Sequence, residues 1–139
     1  GMLDGDPPNL VTHVFTDERA RAAYPDWADV AGELAASLQS EQCHEGSAAN
    51  ELATHLADVA GEGFTSVWER AAITERKTGV RAIAHPDVGV LRLAYETLDL
   101  PDAARQKVII HLPADEASAT GLDRLAGRAP GRLRAVSPA

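Results

Sequence analysis

Apolar positions recur along the chain in two different rhythms. From Leu10 to Ala71 they return every three or four residues, which is the helical period. From Val80 to Leu112 they alternate with polar ones, which is the strand period. The first segment, "LVTHVF", is short and reads equally as helix or strand. Thr16 then reads as an N-cap, with Asp17 and Glu18 in the first turn where the helix dipole favours acids. Pro25 breaks that helix, because it lacks an N–H and clashes with the preceding turn. A second helix restarts near Asp26, with Trp27, Val30, Ala31, Leu34 and Leu38 on one stripe. "SEQCHEGS" reads as a loop, and Ser47 as the cap of a third helix. That helix buries Leu52, Ala53, Leu56, Val59 and Ala60 and stops at Gly61. A short helix with Phe64, Val67, Trp68 and Ala71 on one side follows, and near Ile73 the period changes.

"VRAIAH", "GVLRLAYETL" and "KVIIHLP" read as three strands. Thr78-Gly79 and His85-Pro86-Asp87 punctuate the first, and "DLPDAARQ" joins the second to the third. Short strands with turn-length joins predict an antiparallel meander. In the second strand Leu91, Leu93 and Tyr95 share one face, while Arg92 and Glu96 flank Ala94 on the other. In the third, Val108, Ile110 and Leu112 make a wholly apolar face; Lys107, Ile109 and His111 make a mixed one. A last helix carries Leu122 and Leu125, with Ser118 as its cap and Gly127 as its stop. Helices, then strands, then one helix predict an α+β class, with helices covering one face of the sheet.

Composition narrows the function. At 139 residues the chain is one domain's worth and is long enough to bury a core. Its formal net charge of −8 opposes a phosphate-gripping surface, so no direct nucleic-acid contact is expected. The one basic stretch, "GRAPGRLRAVSPA", reads as a flexible tail over 128–139, and 1–8 as a polar lead-in. No apolar run approaches a membrane span, and no secretion signal opens the chain. A single cysteine, Cys43, excludes an internal disulfide, and the default location is cytoplasmic.

Catalytic chemistry finds little to stand on. The five histidines, His13, His44, His55, His85 and His111, show no metal-ligand spacing, so no metal or other cofactor is expected. There is no G-x-S-x-G, and "GEG" at 61–63 lacks the Gly-Lys-Ser/Thr of a phosphate loop. The carboxylate pairs Asp4/Asp6 and Asp115/Glu116 fall in turns. The chain is therefore read as a non-enzyme. The aromatics carry more information, in three groups: Phe15 with Tyr24 and Trp27, Phe64 with Trp68, and Tyr95. Such residues pack a core, and a cavity that they line suits an apolar ligand. His85, before a proline at a strand mouth, can fix a turn by bonding backbone. As an ionisable group it can also meet a ligand's carboxylate.

"NLVTHVFTDERARAAYPDW", "FTSVWER" and "TGVRAIAHPDVGVLRLAYETLDLPDAARQKVIIHLPADEAS" resemble the C-terminal ligand-binding domain of MmyB-like transcription regulators. Those proteins carry an N-terminal xenobiotic-response-element (XRE) type helix-turn-helix. The matching positions are Asn9, Phe15, Tyr24, Asp26 and Trp27, then Phe64 and Trp68. The most specific run is His85, Pro86, Gly89, Leu91, Tyr95, Glu96, Leu98, Leu100 and Pro101. The resemblance implies a PAS-like domain over 9–127 with a hydrophobic cavity between helices and sheet. It also implies a small apolar ligand such as a fatty acid. Phe15, Tyr24, Trp27, Phe64, Trp68, His85, Leu91, Leu93 and Tyr95 are then the expected ligand-binding residues.

The departures shape two further expectations. No helix-turn-helix is present, and nothing matches the family's opening β-hairpin, so the domain reads as N-terminally truncated with three strands. An unpaired sheet edge would follow, and with it a homodimer through that edge. A ligand-free dimerisation or interaction module is thus the alternative to a ligand sensor.

Overall fold

A computed structural model of the chain describes residues 9–42, 48–71, 77–100 and 107–127. The order is α1 (Leu10–Thr16), α2 (Glu18–Ala23), α3 (Trp27–Gln42), α4 (Ala48–Ala60), α5 (Glu62–Arg70), β1 (Thr78–His85), β2 (Gly89–Asp99), β3 (Lys107–Pro113) and α6 (Glu116–Leu125). This is the expected α+β class, with a three-stranded antiparallel sheet. The chain divides into two compact units, Gly1–Lys77 and Thr78–Ala139. The lead-in 1–8, the cap at Ser47, the period change at Ile73 and the tail 128–139 lie outside the described residues.

In the first unit, "LVTHVF" is helical. Asn9 starts it by accepting a hydrogen bond from the Thr12 N–H at 3.0 Å. The next cap is Asp17 rather than Thr16. The Thr16 hydroxyl bonds the Thr12 carbonyl one turn back at 2.8 Å, so it is used inside α1. The Asp17 carboxylate accepts from the Arg19 N–H at 2.8 Å and starts α2. Tyr24 then takes the extended conformation that a following proline demands, and Pro25 separates α2 from α3.

Helix α3 runs on to Gln42, through Ser40 and Glu41, which the sequence reading placed in a loop. Buried Leu38 anchors that end, and the neighbouring Gln39 amide donates to the Trp68 carbonyl at 2.8 Å. The buried line of α4 runs through Ala49, Ala53 and Leu56, so Val59 falls at its margin in the last turn and is 57% exposed, not buried. Gly61, with φ +53°, makes the sharp reversal into α5 that a side chain would resist. Leu38, Ala49, Ala53, Leu56 and Phe64 form the core of this unit, with Val11, Phe15, Leu52 and Trp68 packed around them.

In the second unit β1 pairs with β2 from Thr78↔Glu96 to His85↔Gly89, and β2 with β3 from Leu93↔Pro113 to Asp99↔Lys107. Directly opposed residues share a face. One face therefore carries Arg81, Leu91, Leu93, Tyr95 and His111. The other carries Val80, Val90, Arg92, Ala94, Glu96, Val108, Ile110 and Leu112. Strand β3 ends at Pro113, and α6 follows beside β2. Its cap is Asp115, which accepts from the Ser118 N–H at 2.8 Å. Ser118 is not the cap; buried, it uses its hydroxyl to accept from the Arg92 N–H at 2.8 Å. That bond satisfies a β2 amide beyond the end of the β3 ladder.

Candidate functional site

Five of the expected ligand-binding residues lie in the first unit. Trp27, Phe15, Phe64 and Trp68 form one chain of rings. Phe15 stands edge-on to Trp27 at 6.0 Å and to Phe64 at 4.9 Å, and Phe64 meets Trp68 at 5.2 Å. These edge-on pairings set the positive rim of one ring against the negative face of the next. α1, α3 and α5 each contribute to the row, so sequence segments nearly 50 residues apart converge on it. The Trp27 indole N–H donates to the Val14 carbonyl at 2.9 Å, and the Arg21 guanidinium lies 3.9 Å from the Trp27 ring centre. Phe64 is fully buried and Tyr24 nearly so, whereas Trp27, Phe15 and Trp68 keep partial exposure.

The other four lie in the second unit, on one face of the sheet. Leu91, Leu93 and Tyr95 are 4%, 7% and 7% exposed. Two glycines let neighbours come close to that row. A Cβ on Gly121 would stand 2.6 Å from Leu91 Cδ2, so α6 sits directly on β2 there. A Cβ on Gly79 would stand 2.8 Å from Tyr95 Cε1, so the tyrosine ring lies against the facing strand. His85 is at the opposite end of the β1–β2 hairpin from Tyr95. Its Nδ1 accepts from the Asp87 N–H at 3.2 Å and lies 4.0 Å from the Asp87 carboxylate, which is the turn-fixing role.

Sequence reasoning did not single out Arg81 or His111. The Arg81 guanidinium lies 5.0 Å from the Tyr95 ring centre, and His111 lies 6.4 Å from it on the other side strand. Burial first, and the Arg81 charge second, hold His111 below its ordinary pKa of 6.5, so it is biased to the neutral form. The signal was present: the His85↔Gly89 closure with three turn residues sets a register that puts Arg81, Leu93 and Tyr95 on one face.

Two helix-capping acids are held low. Asp17 is lowered to about 2, chiefly by the Arg19 side chain, which meets its carboxylate at 2.7 Å. Asp115 is lowered by its hydrogen bonds to Ser118. Both act as helix caps. An open groove over Asn50, Glu51, Thr54, His55 and Asp58 follows the solvated side of α4 and includes none of the expected residues. Among the described residues no three of His, Cys, Asp and Glu are grouped to hold a metal ion, and no helix is long and apolar enough to cross a membrane.

Neither the curated proteins nor the solved structures gave a match. The family model of the MmyB-like transcription regulator ligand binding domain matches residues 1–125, which includes both units' described elements. The chain belongs to the MmyB-like transcription regulator ligand binding domain family.

Proposed function

We propose that this chain is a PAS-like, ligand-sensing regulatory domain that binds a small apolar molecule, with a fatty acid as the best candidate. It works without catalysis, in the cytoplasm, and leaves DNA reading to a helix-turn-helix of the XRE type outside these residues. Family membership carries this reading. Two further features support it. The ring row of Phe15, Trp27, Phe64 and Trp68, with Tyr24 nearby in sequence, and the buried row of Leu91, Leu93 and Tyr95 are surfaces suited to an acyl chain. Arg81, stacked over Tyr95, supplies positive charge for a carboxylate head group, and His85 is the second candidate for that contact. The net charge of −8 fits a domain that does not touch nucleic acid itself.

Native mass spectrometry of the purified chain, with organic extraction of bound material, tests the proposal. A co-purifying acyl chain, or a mass shift on adding a fatty-acid panel, is the expected result. Leu93→Asp should abolish the shift, because it puts a charge in the apolar row. An unliganded mass that no fatty acid changes would overturn the ligand class.

A further inference from the structure

The second face of the sheet is apolar where a solvated face would be polar. Val80, Val90, Leu98, Val108, Ile110 and Leu112 all point to it by register, and each is between 40% and 61% exposed. Antiparallel sheets ordinarily keep their solvated side polar, so a run of this kind marks a contact surface. The two charges of β2 on this face show what it would fit. Arg92 lies two residues before Ala94 and Glu96 two residues after it, and Ala94 is the centre of the row Val80–Ala94–Leu112.

We propose that this face binds a second copy of the chain, sheet against sheet, about a two-fold axis running across the strands at that row. Such an axis reverses the strand direction in the facing copy. It sets Arg92 of each copy over Glu96 of the other, giving two reciprocal ion pairs. It also sets the Ala84–Val90 row over the partner's Leu98–Val108 row, and Val80 and Leu112 over their own counterparts. The surface is thus complementary to itself in charge as well as in apolarity, as an isologous contact requires. Aligned packing of two twisted sheets keeps their strands within about 30° of one another, and long Arg and Glu side chains span that offset. The arrangement differs from pairing at the strand edges. β1 and β3 are the edges, so an edge contact would bring neither Arg92 nor Glu96 of the central strand to its opposite charge in the other copy.

A charge-swap cycle on the full chain tests this, read by sedimentation velocity over a concentration series, with circular dichroism as the check on folding. The wild-type chain should form dimers. Arg92→Glu places like charges over one another and should weaken the dimer by about tenfold or more. Glu96→Arg should do the same, and it is remote from the Asp115 carboxylate that lies 3.8 Å from Arg92. The double swap R92E/E96R restores opposite charges and should recover most of the lost association. A chain that stays monomeric throughout its soluble range would overturn the proposal. So would a dimer indifferent to both single swaps, which would assign association to the strand edges, or a double swap no better than the single ones.

Discussion

The two faces of the sheet are both built largely of aliphatic side chains, yet along β2 one is closed and the other open. On the first, Leu91, Leu93 and Tyr95 are almost fully buried. Glycines at Gly121 and Gly79 allow α6 and the Tyr95 ring to approach within contact distance, and Arg81 and His111 close the Tyr95 end. On the second, Val80, Val90 and Leu112 are more than half exposed, and Arg92 and Glu96 stand among them. Apolar content alone therefore does not decide burial. What decides it is whether a neighbour of matching shape can come close, and here small residues make that approach. The strand β3 illustrates the point. Its uniformly apolar side, Val108, Ile110 and Leu112, is exposed, and so is Ile109, at 49%, on the side that it shares with Tyr95.

The contrast can be broken most forcefully at Leu91. Leu91→Ala removes a buried side chain from the closed face and should cost about 2–5 kcal/mol in urea unfolding, the usual range for such a cavity. A loss below about 0.5 kcal/mol would show that the face is not packed. Gly121→Val attacks the same contact by overfilling it. The expected loss is about 1–3 kcal/mol, and Leu91→Ala should partly relieve it in the double mutant, since the two sites share one contact.

Acidity sharpens the contrast more gently. His111 has its folded-state pKa depressed below 6.5, so its contribution is present above that value and is lost as pH falls through the lower folded value. Stability should therefore decline as the solution is acidified through and below pH 6.5, and His111→Gln should flatten that slope. Asp115, also depressed, makes its loss in a separate and more acidic window, below its ordinary 3.8. The smallest effect belongs to the open face. Leu112→Ser, at a side chain 61% exposed, should change unfolding of the dilute chain by no more than about 0.5 kcal/mol. It should nevertheless reduce self-association at high concentration. A large loss of stability in dilute solution would mean that this face is covered within one chain.

The helical unit separates core from margin in the same way. Trp68 has the size and spacing of a core residue, but it keeps partial exposure and packs against Phe64 from outside. The full cost of removing a buried aromatic, about 3–5 kcal/mol, is accordingly expected at Phe64 rather than at Trp68.

Much of this molecule was legible in one dimension. The change from helical to alternating rhythm, the break at Pro25, the reversal at Gly61 and the three-strand meander all rest on local rules of backbone geometry, and the α+β class follows from their order. Leu91, Leu93 and Tyr95 share a face because side chains alternate along any strand. Caps were less legible. Thr16 and Ser118 have the right chemistry, but each hydroxyl is used elsewhere, by the Thr12 carbonyl and the Arg92 amide, and the nearby Asp17 and Asp115 cap instead. Ser40, Glu41 and Gln42 looked like loop because polar residues suit loops and exposed helix ends alike. Tertiary structure alone decided which side of β3 joins which side of β2, and hence that His111 joins Arg81 and Tyr95 while Val108, Ile110 and Leu112 take the opposite face. Periodicity tells which residues of a strand lie together. It cannot tell which of the two faces a neighbouring element will cover, because that depends on contacts between residues far apart in the chain.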